Sequence, residues 1–457
     1  MAIKPTIPKG TRDFSPTQVA QRNFILNTIK TSFELFGFQP IETPAFENYN
    51  TLMGKYGEEG DRLIFKILNS GDYLKKINNT DINEKDSTKL TPQISEKALR
   101  YDLTVPFARY VVQHQNDIIF PFKRYQMQPV WRADRPQKGR FREFYQCDAD
   151  IVGSTSLWQE VSLVQLYDDA FTRLKLTNTI IKLNNRKILS GLADIIGAKD
   201  KLIDFTVALD KLDKIGIEGV TKEMLSKGIS KEAIEKVQPL FNFNGSNKDK
   251  LSQLRNMLSA SEEGLKGVED LQFVVNSIEN IGLQSALLSI DVTLARGLNY
   301  YTGAIFEVEV PTVKVGSVGG GGRYDDLTGI FGLKGLGGIG ISFGLDRIYL
   351  ALEELNLFKN ISLPKPKVLF INFGEKEALY AVNTIKQLRQ NKVSAELYPD
   401  KVKMKKQMGY ANKRSIEFVI LAGTSEIKDK KYTLKNMQSG NQKNCSLKEL
   451  IKILKNA

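Results

Sequence analysis

Arg132, Arg135, Arg140 and Arg142 crowd into one short polar stretch of the chain. Guanidinium groups fork onto phosphate and carboxylate oxygens, so this density points to an anionic ligand; a solvated loop is the plain alternative, since exposed arginines also make weak ion pairs. Arg347 follows the glycine-spaced run Gly340-Ile341-Ser342-Phe343-Gly344 and precedes the apolar Ile348, Tyr349 and Leu350. An arginine so placed can stack on an aromatic base. Gly319 to Gly322 marks a place where backbones approach closely, yet it has neither the P-loop spacing nor the dinucleotide fingerprint. His114 is the single histidine, and Cys147 and Cys445 stand far apart. Metal ligation and histidine-based nucleophilic chemistry therefore have almost no raw material, and both cysteines read as reduced thiols.

The elements that must position these residues are legible from period and punctuation. Ser15, Pro16 and Gln18 open a helix with a capping box, and Ile25, Ile29, Phe33 and Phe36 recur at helical spacing until Gly37. Two prolines, Pro40 and Pro44, then exclude helix and permit an extended edge segment over 38–46. Runs over 125–132 and 141–152 predict a hairpin joined by the arginine-rich loop 133–140. Residues 160–174 predict a helix, and the lysine-rich segment to about Glu279 is mostly helical in pattern with no catalytic spacing. Alternation over 290–310 predicts a strand. After Pro364 and Pro366, apolar runs at 368–373 and 418–421 alternate with helices, the last opened by Ser446 and Glu449, which predicts a separate α/β domain.

With 457 residues, 41% apolar and 26% charged, the chain has material for several cores. No apolar run approaches the ~18 residues needed to span a bilayer, and the N-terminus has neither a secretory nor a transit pattern; a soluble cytoplasmic protein is expected. The net charge of +13 is unevenly placed: residues 365–457 hold 20 Lys and Arg against 8 Asp and Glu, so nearly all the excess lies there. A compact basic domain suits a polyanion such as RNA, because phosphate neutralisation releases counterions; a merely soluble basic surface is the alternative. Lys401, Lys403, Lys405, Lys406, Lys413 and Arg414 are expected on one helix and its end, near Tyr398 and Tyr410.

Taken in order, these pieces resemble the three signature motifs of class II aminoacyl-tRNA synthetases. The first helix with the Pro44 segment is similar to the dimer-forming motif, 122–150 to the second, and 340–350 to the third. Leu294-Ala295-Arg296-Gly297-Leu298-Asn299-Tyr300-Tyr301-Thr302-Gly303 resembles the peptide peculiar to histidyl-tRNA synthetases, and Gly321-Gly322-Arg323-Tyr324-Asp325 its companion. The resemblance covers nearly the whole chain. It implies an α/β protein: a class II catalytic domain (1–186 and 280–360) around an antiparallel sheet, a mostly helical insertion (187–279), and a C-terminal anticodon-binding domain (365–457). It implies a homodimer that uses ATP with Mg2+, L-histidine and tRNA(His), with no tightly bound cofactor and no membrane.

The same resemblance implies roles. Arg132 and Arg296 would neutralise charge at the α-phosphate, with Gln146 near the transferring centre. Arg140 would hold the far phosphates, Arg347 would stack on adenine, and Asp134 would lie at the nucleotide end. Asp102, Thr104 and Gln146 would hold the amino and carboxyl ends of histidine, Asp150 and Tyr301 its imidazole, with Tyr300 and Tyr324 closing the pocket. Arg135 and Gln137 would meet the tRNA acceptor end, and Lys403 and Lys406 the anticodon arm. Asn299 stands where family members commonly carry aspartate; it either weakens the site or serves as a turn residue, and the turn reading is preferred. His114 reads as structural. Two rivals remain: a synthetase-like regulatory protein, and a class II synthetase for glycine, proline or threonine. The intact arginines and the Arg296 peptide argue against both.

Overall fold

The computed structural model describes residues 4–456 apart from 76, 78, 296–299, 360 and 362. Its contacts divide the chain into two compact units, Met1–Ile361 and Ser362–Ala457. In the first unit the strands are, in chain order, β1 (Gln39–Pro40), β2 (Phe46–Asn48), β3 (Lys66–Ile67), β4 (Lys97–Leu99), β5 (Phe122–Trp131), β6 (Glu143–Val152), β7 (Ile180–Asn185), β8 (Leu287–Ile290), β9 (Ala304–Glu309), β10 (Gly319–Arg323) and β11 (Gly338–Gly344). Eight of them form one sheet in the order β1-β5-β6-β11-β10-β9-β7-β8, and β2-β4-β3 form a small second sheet. The large sheet is antiparallel inside and parallel only at its two outermost pairs, β1 with β5 and β7 with β8. Pro40 is tolerated because β1 is an edge.

Side-chain alternation gives this sheet two unlike faces. On one face Tyr125, Cys147, Ala149, Ile151, Ile341 and Phe343 join a core with Ile25, Ile29 and Phe33 of the first helix (Pro16–Leu35). Phe343 sits at its centre, with ring centroids 5.7 Å from Phe33, 4.8 Å from Tyr167 and 5.4 Å from Phe171. The predicted capping box at Ser15 and Gln18 is present. Registers pair Gln126 with Asp148, Asp148 with Ser342, and Ser342 with Gly320, so the opposite face is lined by polar and glycine positions.

The expected hairpin is β5 with β6, ten residues each. The expected strand over 290–310 is not continuous. β8 ends at Ile290, where Asp291 accepts the backbone N–H and hydroxyl of Thr293 and turns the chain; β9 begins only at Ala304. The helical segment includes Arg186–Ile195 and Glu262–Ile281, whose Ile188, Leu189, Leu271 and Val275 share the core of the sheet.

The second unit has a five-stranded sheet of β12 (Val368–Phe370), β13 (Ala395–Leu397), β14 (Phe418–Leu421), β15 (Tyr432–Asn436) and β16 (Gln442–Cys445), ordered β13-β12-β14-β15-β16. It is flanked by helices Glu375–Gln390, Met404–Lys413 and Leu447–Asn456, and Ser446 and Glu449 cap the last one reciprocally. The basic cluster is less helical than expected. Lys401 and Lys403 precede the helix that starts at Met404, and Arg414 caps its end, donating to the Tyr410 hydroxyl.

The first unit is braced by a buried ion pair: Arg323, at the end of β10, donates to both oxygens of the fully buried Glu160, at 2.6 and 2.7 Å. Glu160→Ala leaves that guanidinium buried and half-paired with Asp325, so urea unfolding is expected to show a loss of about 3–5 kcal/mol.

Candidate active site

A cavity of about 510 Å³ opens over the polar face of the large sheet. It is lined by Asp102, Thr104, Arg132, Asp134, Arg140, Gln146, Asp150, Tyr300, Tyr301, Tyr324 and Arg347, so residues scattered along the sequence meet in one place. Arg296 lies outside the described residues. Arg135 and Gln137 do not line the cavity; both are exposed on the loop between β5 and β6, where Gln137 and Arg140 exchange backbone hydrogen bonds. Lys403 and Lys406 are exposed in the second unit.

One end of the cavity is acidic and aromatic. Asp102 is buried and accepts from the hydroxyls of Tyr56 at 2.8 Å and Tyr300 at 3.3 Å, and from the backbone N–H of Val105 at 3.2 Å. Asp150 accepts from the Tyr324 hydroxyl and pairs with the fully buried Arg124 at 2.7 Å. Burial raises the Asp102 and Asp150 carboxyls above their ordinary range, Arg132 lowering the first and Arg124 the second. Burial also raises the phenols of Tyr300, Tyr301 and Tyr324, which therefore stay neutral donors at physiological pH. Glycine makes this end possible: a Cβ on Gly340 would overlap the Asp150 carboxylate, and one on Gly338 would overlap the Tyr324 ring.

The other end is cationic. Arg132 is anchored by donation to the Tyr101 carbonyl at 3.0 Å and lies 4.2 Å from that ring's centroid. Arg140 is half-exposed and meets Asp134 at 3.3 Å. Arg347 donates to the carbonyls of Gly139 and Ser317, which spreads its guanidinium along the wall. Gln146 stands at the junction: its amide donates to Ser342 at 3.1 Å and its carbonyl accepts from Arg132 at 3.4 Å.

Several lining residues have no role in the sequence reading, among them Phe141, Asp148, Glu307, Ser342 and Asp346. Asp148 had a visible signal, the alternation Gln146-Asp148-Asp150 that puts all three on one face. Arg124 was hidden, because an arginine in an otherwise mixed strand reads as a solvated position. Asp148 is pushed up to about 7, first by burial, then by the neighbouring Asp150 and Asp102 charges, while Arg124 and the Ser342 hydroxyl pull it down. Between the ordinary carboxylate range and that value, the folded chain binds a proton that the unfolded chain releases, so rising pH removes stability. Asp148→Asn cannot ionise. Relative to the parent it is expected to need more urea to unfold at about pH 8, with the advantage shrinking toward about pH 4.

A family model described as Histidyl-tRNA synthetase matches residues 71–348, and one described as Anticodon binding domain matches residues 367–457. The "Histidine--tRNA ligase" of Christiangramia forsetii is 69% identical over 456 residues, covering 100% of both chains. That of Flavobacterium johnsoniae is 63% identical over 473 residues, covering 99% of this chain and 100% of its own. The crystal structure of histidyl-tRNA synthetase from Nostoc sp. PCC 7120 has a TM-score of 0.79 at 30% identity over 100% of both chains. Matched along its length in sequence and in fold, the chain belongs to the histidyl-tRNA synthetase family.

Proposed function

We propose that this cavity joins L-histidine to ATP, releasing pyrophosphate, and then passes the histidyl group to the 3' end of tRNA(His). The observation that carries the reading is the polarity of one continuous pocket, with Asp102, Asp150 and tyrosine hydroxyls at one end and Arg132, Arg140 and Arg347 at the other. An amino acid with a basic ring and an ammonium group suits the first, and a polyphosphate the second.

The chemistry follows from charge. The histidine carboxylate and the α-phosphate repel each other until donors neutralise the charge that builds as the new O–P bond forms and the bond to the leaving pyrophosphate breaks. Arg132, which lines the cavity, is assigned this task, and Arg296 the same task by its place in the peptide that carries Tyr300 and Tyr301. Arg140 holds the outer phosphates and Arg347 packs on the adenine. Magnesium enters with ATP, bound to its phosphates as part of the substrate. No protein base is required for activation, because a carboxylate attacks as an anion. In transfer, the terminal ribose hydroxyl attacks the carbonyl carbon, AMP leaves, and a phosphate oxygen of the adenylate takes the proton.

Specificity rests on unpaired groups. Asp150 and Tyr301 offer an acceptor and a hydroxyl to the two imidazole nitrogens; an isostere lacking those nitrogens forfeits both bonds, leaving the buried Tyr301 hydroxyl without the ligand's partner while Asp150 keeps only Arg124 and Tyr324. Asp102, Thr104 and Gln146 take the ammonium and carboxylate, and Tyr300 and Tyr324 wall the ring. The exposed Arg135 and Gln137 are assigned to the acceptor end of tRNA, and the exposed Lys403 and Lys406 to its backbone at the anticodon. Residues 1–186 and 280–360 then form the catalytic domain, 187–279 a helical insertion and 365–457 the anticodon-binding domain. The homodimer and the cytoplasmic setting belong to the same reading. Among the described residues no helix is long and apolar enough to cross a membrane.

Exchange of pyrophosphate into ATP, with the twenty amino acids offered one at a time, is expected with histidine alone. Exchange with another amino acid would make the chain a different synthetase, and none at all would favour a regulatory role. In the same assay Arg132→Ala is expected to lower kcat by about 100- to 1000-fold. Gly340→Ala, which displaces the Asp150 carboxylate, is expected to raise the histidine KM by about tenfold or more while leaving the ATP KM within about twofold.

A further inference from the structure

The segment from Pro8 to Ser15 lies outside the span matched by the synthetase family model, yet it reaches the nucleotide end of the pocket. The carbonyl of Gly10 accepts the backbone N–H of Arg142 at 2.9 Å, just where β6 is about to begin. Gly10 has φ +88°, and a Cβ there would meet the side chains of Arg142 and Pro136 at 2.8 and 3.0 Å, so a glycine lets the arm lie this close. Two residues on, the Arg12 guanidinium lies 3.3 Å from the ring centroid of Phe141 and donates to Asp346 at 2.6 Å. Phe141 and Asp346 both line the cavity; Arg12 does not.

Asp346 is almost fully buried, and the same oxygen that takes Arg12 also takes Arg22 at 2.5 Å. It immediately precedes Arg347, at the start of the helix Leu345–Glu354. Two cations on one carboxylate leave the cluster net positive beside a site for polyphosphate, whereas an Asp346 left short of cations would repel the nucleotide. Phe141 is held from one side by the arm and follows Arg140, so the loop that carries the phosphate-binding arginine is tied at its base to the N-terminal segment.

We infer that Arg12 is a positioning residue for the nucleotide subsite, acting through Phe141 and Asp346 and not by touching substrate. This rests on the reading of the arginine end as the ATP site, and it makes the N-terminal arm part of the catalytic machinery. The role is specific to ATP: the contacts of Arg12 lead to the arginine end, while Asp102, Asp150 and Tyr324 have their own partners.

The test is direct titration of Mg-ATP by calorimetry into the full chain, with the histidine KM taken from pyrophosphate exchange, for the parent, Arg12→Met and Arg12→Lys. Arg12→Met is expected to weaken ATP binding by about tenfold or more, with the histidine KM within about twofold and an unfolding midpoint close to the parent's. Arg12→Lys, which keeps the charge on Asp346, is expected to recover most of the ATP affinity. Unchanged ATP binding in Arg12→Met, or ATP affinity and histidine KM worsening together, would overturn the inference. A parent that binds no ATP would instead overturn the assignment of the site.

Discussion

Arg124 has no exposed surface and lies beside Asp150 on the neighbouring strand, on the same sheet face as Asp148 and Asp150. Ionised carboxylates cannot be buried in apolar surroundings without compensation, so this guanidinium is the condition on which the acidic end exists. It holds Asp150 as an acceptor and leaves the Tyr324 hydroxyl to take the remaining oxygen. Its Cζ packs 4.2 Å from the ring centroid of Phe107, so the charge is buried against an aromatic face rather than against water. A ligand that brings positive charge and N–H donors completes the same electrostatic circuit.

The geometry of the sheet follows from this demand. A half-buried strand offers every second residue to each face, and here one face is devoted to the core around Phe343 and the other to ligand chemistry. Polar positions on β5 and β6 are set beside the glycines of β10 and β11, which keep the space above the floor open. The acidic and cationic ends are then separated along a single sheet face, with Gln146 between them. On the proposed function, that separation would seat a zwitterionic amino acid and a nucleotide head to tail, with the carboxylate and the α-phosphate adjacent.

Much of this was legible in the sequence. Ser15 and Gln18 announced the first helix, the β5–β6 hairpin followed from its two apolar runs, and Asp102, Gln146, Asp150, Tyr301 and Tyr324 were named through motifs and meet in the cavity. What escaped depends on contacts that no local pattern encodes. Arg124 looks like any surface arginine until the fold buries it, and Arg12 stands more than three hundred residues from Asp346, its partner. The strand expected over 290–310 failed for a local reason, since Asp291 and Thr293 form a side-chain turn that alternation alone does not register.

The proposed function requires one orientation in the pocket, with the ring at the carboxylate end and the phosphate at the arginine end. A crystal structure with the non-hydrolysable sulfamoyl analogue of histidyl-adenylate tests it most directly. The imidazole is expected between Asp150 and Tyr301, the ammonium at Asp102, the sulfamoyl group against Arg132 and the adenine under Arg347. An analogue seated with its adenine among Asp102, Asp150 and Tyr324, or bound outside this cavity, would contradict it.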